Sequence, residues 1–139
     1  MDHEQEAAYH ELCAYTLTRG DATFIHQHVV DAFAIQHAGP ASKPIQVVFA
    51  LAGLYLHVER GLSGRQVQQA HMRMARTRRE WPALALPESR GAVTASAVLA
   101  VPAGDERDRA IDAWAASVWD ATATHRGTIE DLLRACQVL

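Results

Sequence analysis

Cysteine is scarce in this chain. Cys13 and Cys136 are the two present, near opposite ends and in no CxxC spacing. That excludes a zinc ribbon and leaves no disulfide framework. An excess of one charge is lacking as well. The formal net charge is −3, without the basic bias of nucleic-acid binders, so no nucleic-acid partner is expected. Long apolar runs are absent. The longest, Ile45 to Leu56, is interrupted by Gln46 and too short to span a bilayer, so no membrane role is expected. The opening Met-Asp-His-Glu-Gln-Glu is acidic and polar, unlike a signal peptide. The expectation is a soluble cytoplasmic protein. Strand signals are nearly missing, with no alternating β-branched run and no Asn-Gly or Asp-Gly hairpin turn. The sharper catalytic signatures are missing too: no HExxH, GxSxG, Walker A or GxGxxG occurs.

What remains is helix. Hydrophobic residues make up 49% of the 139 residues, enough for a core in one domain spanning the chain. The pattern predicts an all-α bundle of about five helices. The first runs from about Glu4 to Thr18 and stops at Gly20. Asp21 is expected to cap a second that continues to His37, before Gly39 and Pro40. Pro44 opens a third, apolar on every side to about Arg60, as suits a central helix. Ser63 and Gln66 have the spacing of a capping box for a fourth, reaching about Arg79. Glu80 to Val93, with Pro82, Pro87 and Gly91, reads as a long loop of the kind used for lids or binding segments. Thr94 caps a short helix before Pro102. Asp105 caps the last, which ends near Thr124 or, if Gly127 is tolerated, at the C-terminus.

Eight histidines stand out, four of them between Phe24 and His57. A helix advances about 100° per residue. His28 therefore projects with Phe24, Ala32 and Ile35, with Asp31 one turn on, while His26 and His37 project oppositely. His28 and Asp31 have the i,i+3 spacing of ligand pairs in bundle metal sites. The same spacing suits a His–Asp hydrogen bond stitching two helices. His57 shares a face with Gly53 and Ala50, whose small size lets a neighbouring helix approach. His125 falls on the stripe of Ile111, Trp114, Val118 and Ile129 if the last helix is continuous. His71, between Val67 and Met74 on the fourth helix, is its rival. The expected site is thus His28, Asp31 and His57, completed by His125 or His71. Zinc, nickel, iron or copper could use such a set. Metal-bound water would then serve hydrolysis or group transfer on a small-molecule substrate. The alternatives are an interaction module, such as a homodimer with a polar histidine-containing core, and a metal-free pocket where His57 acts as acid–base beside Asp31. The arginines from Arg73 to Arg79 read as a solvated helix end. Lys43 and Arg90 are loop cations able to hold an anion.

The segments His26-Gln27-His28-Val29-Val30-Asp31-Ala32-Phe33, Gly53 to Gly61, Trp81-Pro82, Arg90-Gly91 and Ser117-Val118-Trp119 resemble an uncharacterised bacterial family, a domain of unknown function. The resemblance runs from about Tyr9 to Trp119. Relatives carry an added N-terminal CxxC-type segment that this chain lacks, so no metal function resting on those cysteines transfers. In architecture the chain is more loosely similar to DinB-like helical bundles. That similarity would imply three histidines from different helices around a divalent metal.

Overall fold

The segment Pro44–Val58 forms the helix around which the others are arranged in the computed structural model, which describes residues 2–139. Along the chain come α1 (His3–Arg19), α2 (His26–Gln36), α3 (Pro44–Val58), α4 (Gly64–Thr77), α5 (Ala95–Leu99), α6 (Asp105–Thr122) and α7 (Arg126–Ala135). The described residues contain no strand, and none of their helices is long and apolar enough to cross a membrane. Helix α3 buries Val47, Val48 and every residue from Ala50 to Leu56. An apolar surface on all sides can be shielded only from all sides. Accordingly α2, α4, α6 and α7 each pack against α3, while α1 leans on α2 and α5. Full burial of each leucine, as at Leu51, Leu54 and Leu56, contributes about 1.5–3 kcal/mol.

The local signals act as their chemistry requires. Pro44 occupies the first turn of α3, and Gln46 Oε1 accepts from the Lys43 N–H at 2.8 Å. At α4 the reciprocal box closes, with the Gln66 N–H on Ser63 Oγ at 3.2 Å and the Ser63 N–H on Gln66 Oε1 at 2.9 Å. Thr94 Oγ1 caps α5.

Two boundaries differ from the sequence pattern. Helix α2 begins at His26, not just after Asp21. Asp21 accepts instead from Thr23 Oγ1 and the Ile25 N–H, and Phe24 takes a left-handed φ of 57°. The cause is tertiary, because α4 docks its first turn on this bend. The Arg65 N–H donates to the Thr23 carbonyl at 2.8 Å. A Cβ on Gly64 would lie 1.8 Å from the Phe24 carbonyl oxygen, so only glycine fits. The second difference is at the C-terminus. Residues Ala123–His125 form a 3-10 turn that separates α6 from α7. Thr122 Oγ1 bonds back to the Val118 and Trp119 carbonyls just before the break, a contact known to bend helices.

The segment 80–93 is free of helix, as expected, but it is strapped down. Trp81, Leu84, Leu86 and Val93 pack on the core. Arg90 donates to the carbonyls of Pro87, Ile35 and Ala38. Its guanidinium thereby ties the loop to carbonyls at the end of α2.

The α2–α3 contact is the most extensive in the fold. The two helices run antiparallel there, with His28 facing His57 and Asp31 facing Gly53. A Cβ on Gly53 would meet Asp31 Oδ2 at 1.9 Å, its Cγ at 2.7 Å and Val67 Cγ1 at 3.1 Å. Gly53→Ala should therefore lower stability by about 1–3 kcal/mol, despite alanine's better helix propensity. Urea denaturation checks this, and the loss should shrink in an Asp31→Ala background, where the obstructing carboxyl is gone.

Candidate functional site

Two polar layers lie one helical turn apart in the α2–α3 interface. In the first, the His28 and His57 rings stack with centroids 3.4 Å apart and planes inclined by 17°. His57 Nδ1 lies 2.8 Å from the Leu62 carbonyl and Nε2 lies 2.9 Å from Asp112 Oδ1. Both partners accept only, so both ring nitrogens suit protons and the imidazolium fits. Burial lowers the His57 pKa, but Asp112 and the Leu62 carbonyl outweigh it and the net shift is upward. His28 goes the other way. Burial, then the neighbouring His57, pushes it down to about 3, so it stays neutral. One charge is thus held at the rim of this layer, opposite an exposed carboxylate on α6.

In the second layer Asp31 is 3% exposed. Oδ1 accepts from Gln27 Nε2 at 3.1 Å, and Oδ2 has no partner among the described residues. Burial raises its pKa well above the usual 3.8, against a smaller pull from Gln27, and so favours the uncharged acid. Asp31 forms part of the wall of a cleft of about 450 Å³ between α2, α3 and α4. Gln27, His37, Gln46 and His71 also reach this cleft, between Val30, Phe33, Phe49 and Ala50. His71 Nε2 lies 2.7 Å from the Phe49 carbonyl, which fixes the proton there and leaves Nδ1 as an acceptor. Burial lowers the His71 pKa, with the Phe49 bond opposing. His37 Nε2 is buried without a partner.

The five expected ligands are therefore divided. His28 and His57 meet each other. Asp31 lies one turn away and shares its cleft with His71. His125, displaced from the helical stripe by the 3-10 turn, donates through Nε2 to the Ala85 carbonyl. A carbonyl oxygen accepts only, so Nε2 carries the proton. Among the described residues no three of His, Cys, Asp or Glu are grouped to hold a metal ion. The space beside Gly53 is filled by the Asp31 carboxyl. Of the two histidines set aside, His26 pairs with Thr16 Oγ1 at 2.9 Å, while His37 reaches the cleft. Asp112, Gln27 and Gln46 went unnoticed in the sequence. Gln27 stands one turn before Asp31, a spacing that does signal the bond between them.

A family model, that of a family of unknown function (DUF5946), matches residues 4–123. No curated protein and no solved structure matches the chain. The looser likeness to DinB-like bundles accordingly gains no support.

Asp31 makes stability depend on pH with a definite sign. Its folded-state pKa is raised above the ordinary 3.8, so the folded chain binds this proton more tightly than the unfolded one. The stabilisation is complete below about pH 3.8 and is lost as pH rises through the folded-state value. Asp31→Asn should be more stable than the parent by about 1–3 kcal/mol at pH 8. The difference should close towards pH 4. Denaturation curves across that range check it, and a gap independent of pH would contradict the assignment.

Proposed function

We propose that this chain, which belongs to the DUF5946 family, binds a small molecule in the cleft between α2, α3 and α4, with Asp31 as its proton-carrying group. One observation carries the reading. The Asp31 carboxyl, its Oδ2 pressed against Gly53 and its pKa displaced upward, forms part of the wall of a mostly apolar cleft that the His71 ring also lines. Apolar clefts with a few convergent polar groups and displaced pKa values are where ligands bind and proton transfers occur. Asp31 would supply a proton and His71 Nδ1 would receive one. The chemistry this supports is general acid–base transfer on a bound, uncoordinated substrate.

A second reading rests on the His28–His57 contact. A divalent zinc, nickel, iron or copper ion would take these two imidazoles once the rings swung out of their stack, which holds their lone pairs in near-parallel planes, and His57 released one of its present acceptors. Bound water would then serve hydrolysis or group transfer.

The two readings separate experimentally. A fragment screen by protein-observed NMR should give hits that shift Asp31 and Phe49, and Ala34→Trp, which fills the cleft, should abolish them. Hits indifferent to Ala34→Trp, or none at all, would sink the cleft. For the metal, untagged protein loaded with zinc and desalted should retain one ion per chain by elemental analysis, lost in His28→Ala and in His57→Ala. Protein that stays metal-free after loading rules this reading out.

A further inference from the structure

Arg90 braces the 80–93 segment with only part of its guanidinium. Nε donates to the Pro87 carbonyl at 2.8 Å, and Nη1 donates to the carbonyls of Ile35 and Ala38 at 3.0 and 2.6 Å. These bonds fix the group in place. Nη2 bonds no described residue and is not sealed from solvent, so two N–H donors remain. The ion pairs among the described residues take in Arg19, Arg60, Arg126 and Arg134, but not Arg90. A half-buried cation is thus held rigid without a counter-ion, and a carboxylate is the acceptor that bonds such a donor most strongly.

The place of Arg90 gives this donor a use. Ala38, whose carbonyl it holds, lines two hollows. One is the cleft between α2, α3 and α4, and the other is a hollow of about 320 Å³ under the 80–93 segment. Ser42 and Val47 line both as well, so the two adjoin. Arg90 lines the second hollow with Pro40, Pro44, Leu84 and Leu86, and no acidic residue does. Lys43, exposed in the same loop, does not line it. A third hollow at Arg90 contains Asp2 and Glu88, which repel an anion. One guanidinium at the end of an apolar path balances one negative charge.

The cleft continues that path over Val30, Phe33, Phe49 and Ala50. Two of its polar atoms are closed to a ligand. Asp31 Oδ2 is sealed against Gly53, and His37 Nε2 is buried, its ring stacked on Phe33 at 4.3 Å. His71 Nδ1 stays open, because Nε2 holds the Phe49 carbonyl.

We propose that the ligand of the cleft is an amphipathic carboxylate, its anionic head on Nη2 of Arg90 and its hydrocarbon body laid across Ala38 and Val47 into the cleft. This rests on the cleft being the ligand site. A substrate held in this way is anchored at one end, and its far end comes to the hollow that His71 lines. Binding energy from the remote carboxylate then serves to position the reacting group.

Four probes test the class: octanoate, octylamine, 1-octanol and butyrate, titrated at pH 7 into the full chain with Kd read from amide chemical shifts. Octanoate should bind at least about tenfold tighter than octylamine, a difference of about 1.4 kcal/mol, and several-fold tighter than octanol. Butyrate, too short to enter the cleft, should also be weaker. Arg90→Gln should bring octanoate down to the level of octanol and leave octanol unchanged. Ala34→Trp should bring octanoate down to the level of butyrate. Should Arg90→Gln fail to fold, the ranking of the four probes on the unaltered protein decides the role of charge. Octylamine or octanol binding as tightly as octanoate would overturn the ligand class and leave the cleft standing. Octanoate binding that is indifferent to Arg90→Gln would overturn the anchor. Sensitivity to Arg90→Gln without sensitivity to Ala34→Trp would overturn the path into the cleft. Silence from all four, with fragment hits sensitive to Ala34→Trp, overturns the class alone; silence together with no such hits overturns the cleft as well.

Discussion

The contact between Gly53 and Asp31 sets the terms for the rest of the molecule. Helix α3 is apolar on every side, so its neighbours must come close and exclude water along its whole length. Helix α2 brings to that interface an imidazole and a carboxyl. A side chain at position 53 would hold the helices apart, and the carboxyl occupies the space that the missing Cβ leaves. Closeness therefore explains both the tight packing and the chemical oddity. Asp31 is cut off from water because the backbone of α3 is against it, and that isolation displaces its pKa.

Charge in the interface is kept to a minimum in consequence. Three ionisable groups lie within about one turn of one another on the two helices. The acid is driven towards its neutral form, and His28 is driven towards its neutral form as well. His57 alone gains affinity for a proton, and it does so at the rim, where Asp112 of α6 supplies an anion. Buried ion pairs recover their desolvation penalty only with good partners. Here the one charge that has such partners is the one that stays. Helix α6 is thereby tied to the α2–α3 pair through a polar contact as well as through Trp114 and Val118.

The legible part of this architecture was local. Caps at Ser63 and Thr94, proline at the start of α3 and the all-apolar character of that helix depend on neighbours within four residues, and each performs as its chemistry dictates. That His28 and Asp31 share one buried face was equally legible from the helical angle. Their separation into two layers was not. It depends on which residue of α3 stands opposite each, and the antiparallel docking puts His57 opposite one and Gly53 opposite the other. The start of α2 was misplaced for a related reason. Asp21 is a competent cap, but the docking of Gly64 against Phe24 forces the chain into a bend first. The cleft itself was invisible, since Asp31, Gln46 and His71 come from three helices. Gly64 bears on it at a distance, because α4 is seated by that glycine and carries His71 two turns later.

The abundance of histidine then acquires a structural explanation that differs from the chemical one. His57, His71 and His125 each direct a ring nitrogen at a main-chain carbonyl, of Leu62, Phe49 and Ala85 in turn, and His26 bonds Thr16. An imidazole is well suited to this work in a bundle with many short connections. It is flat enough to stack, as His37 does on Phe33, and long enough to reach a carbonyl on a neighbouring element. Such bonds also fix tautomers. In His71 the fixed proton is what makes the remaining nitrogen a reliable acceptor, because the ring cannot exchange roles without breaking its bond to Phe49. The histidines thus act chiefly as braces, and one brace defines half of the proposed acid–base pair. The other half is supplied by a carboxyl that the close approach of two helices keeps uncharged.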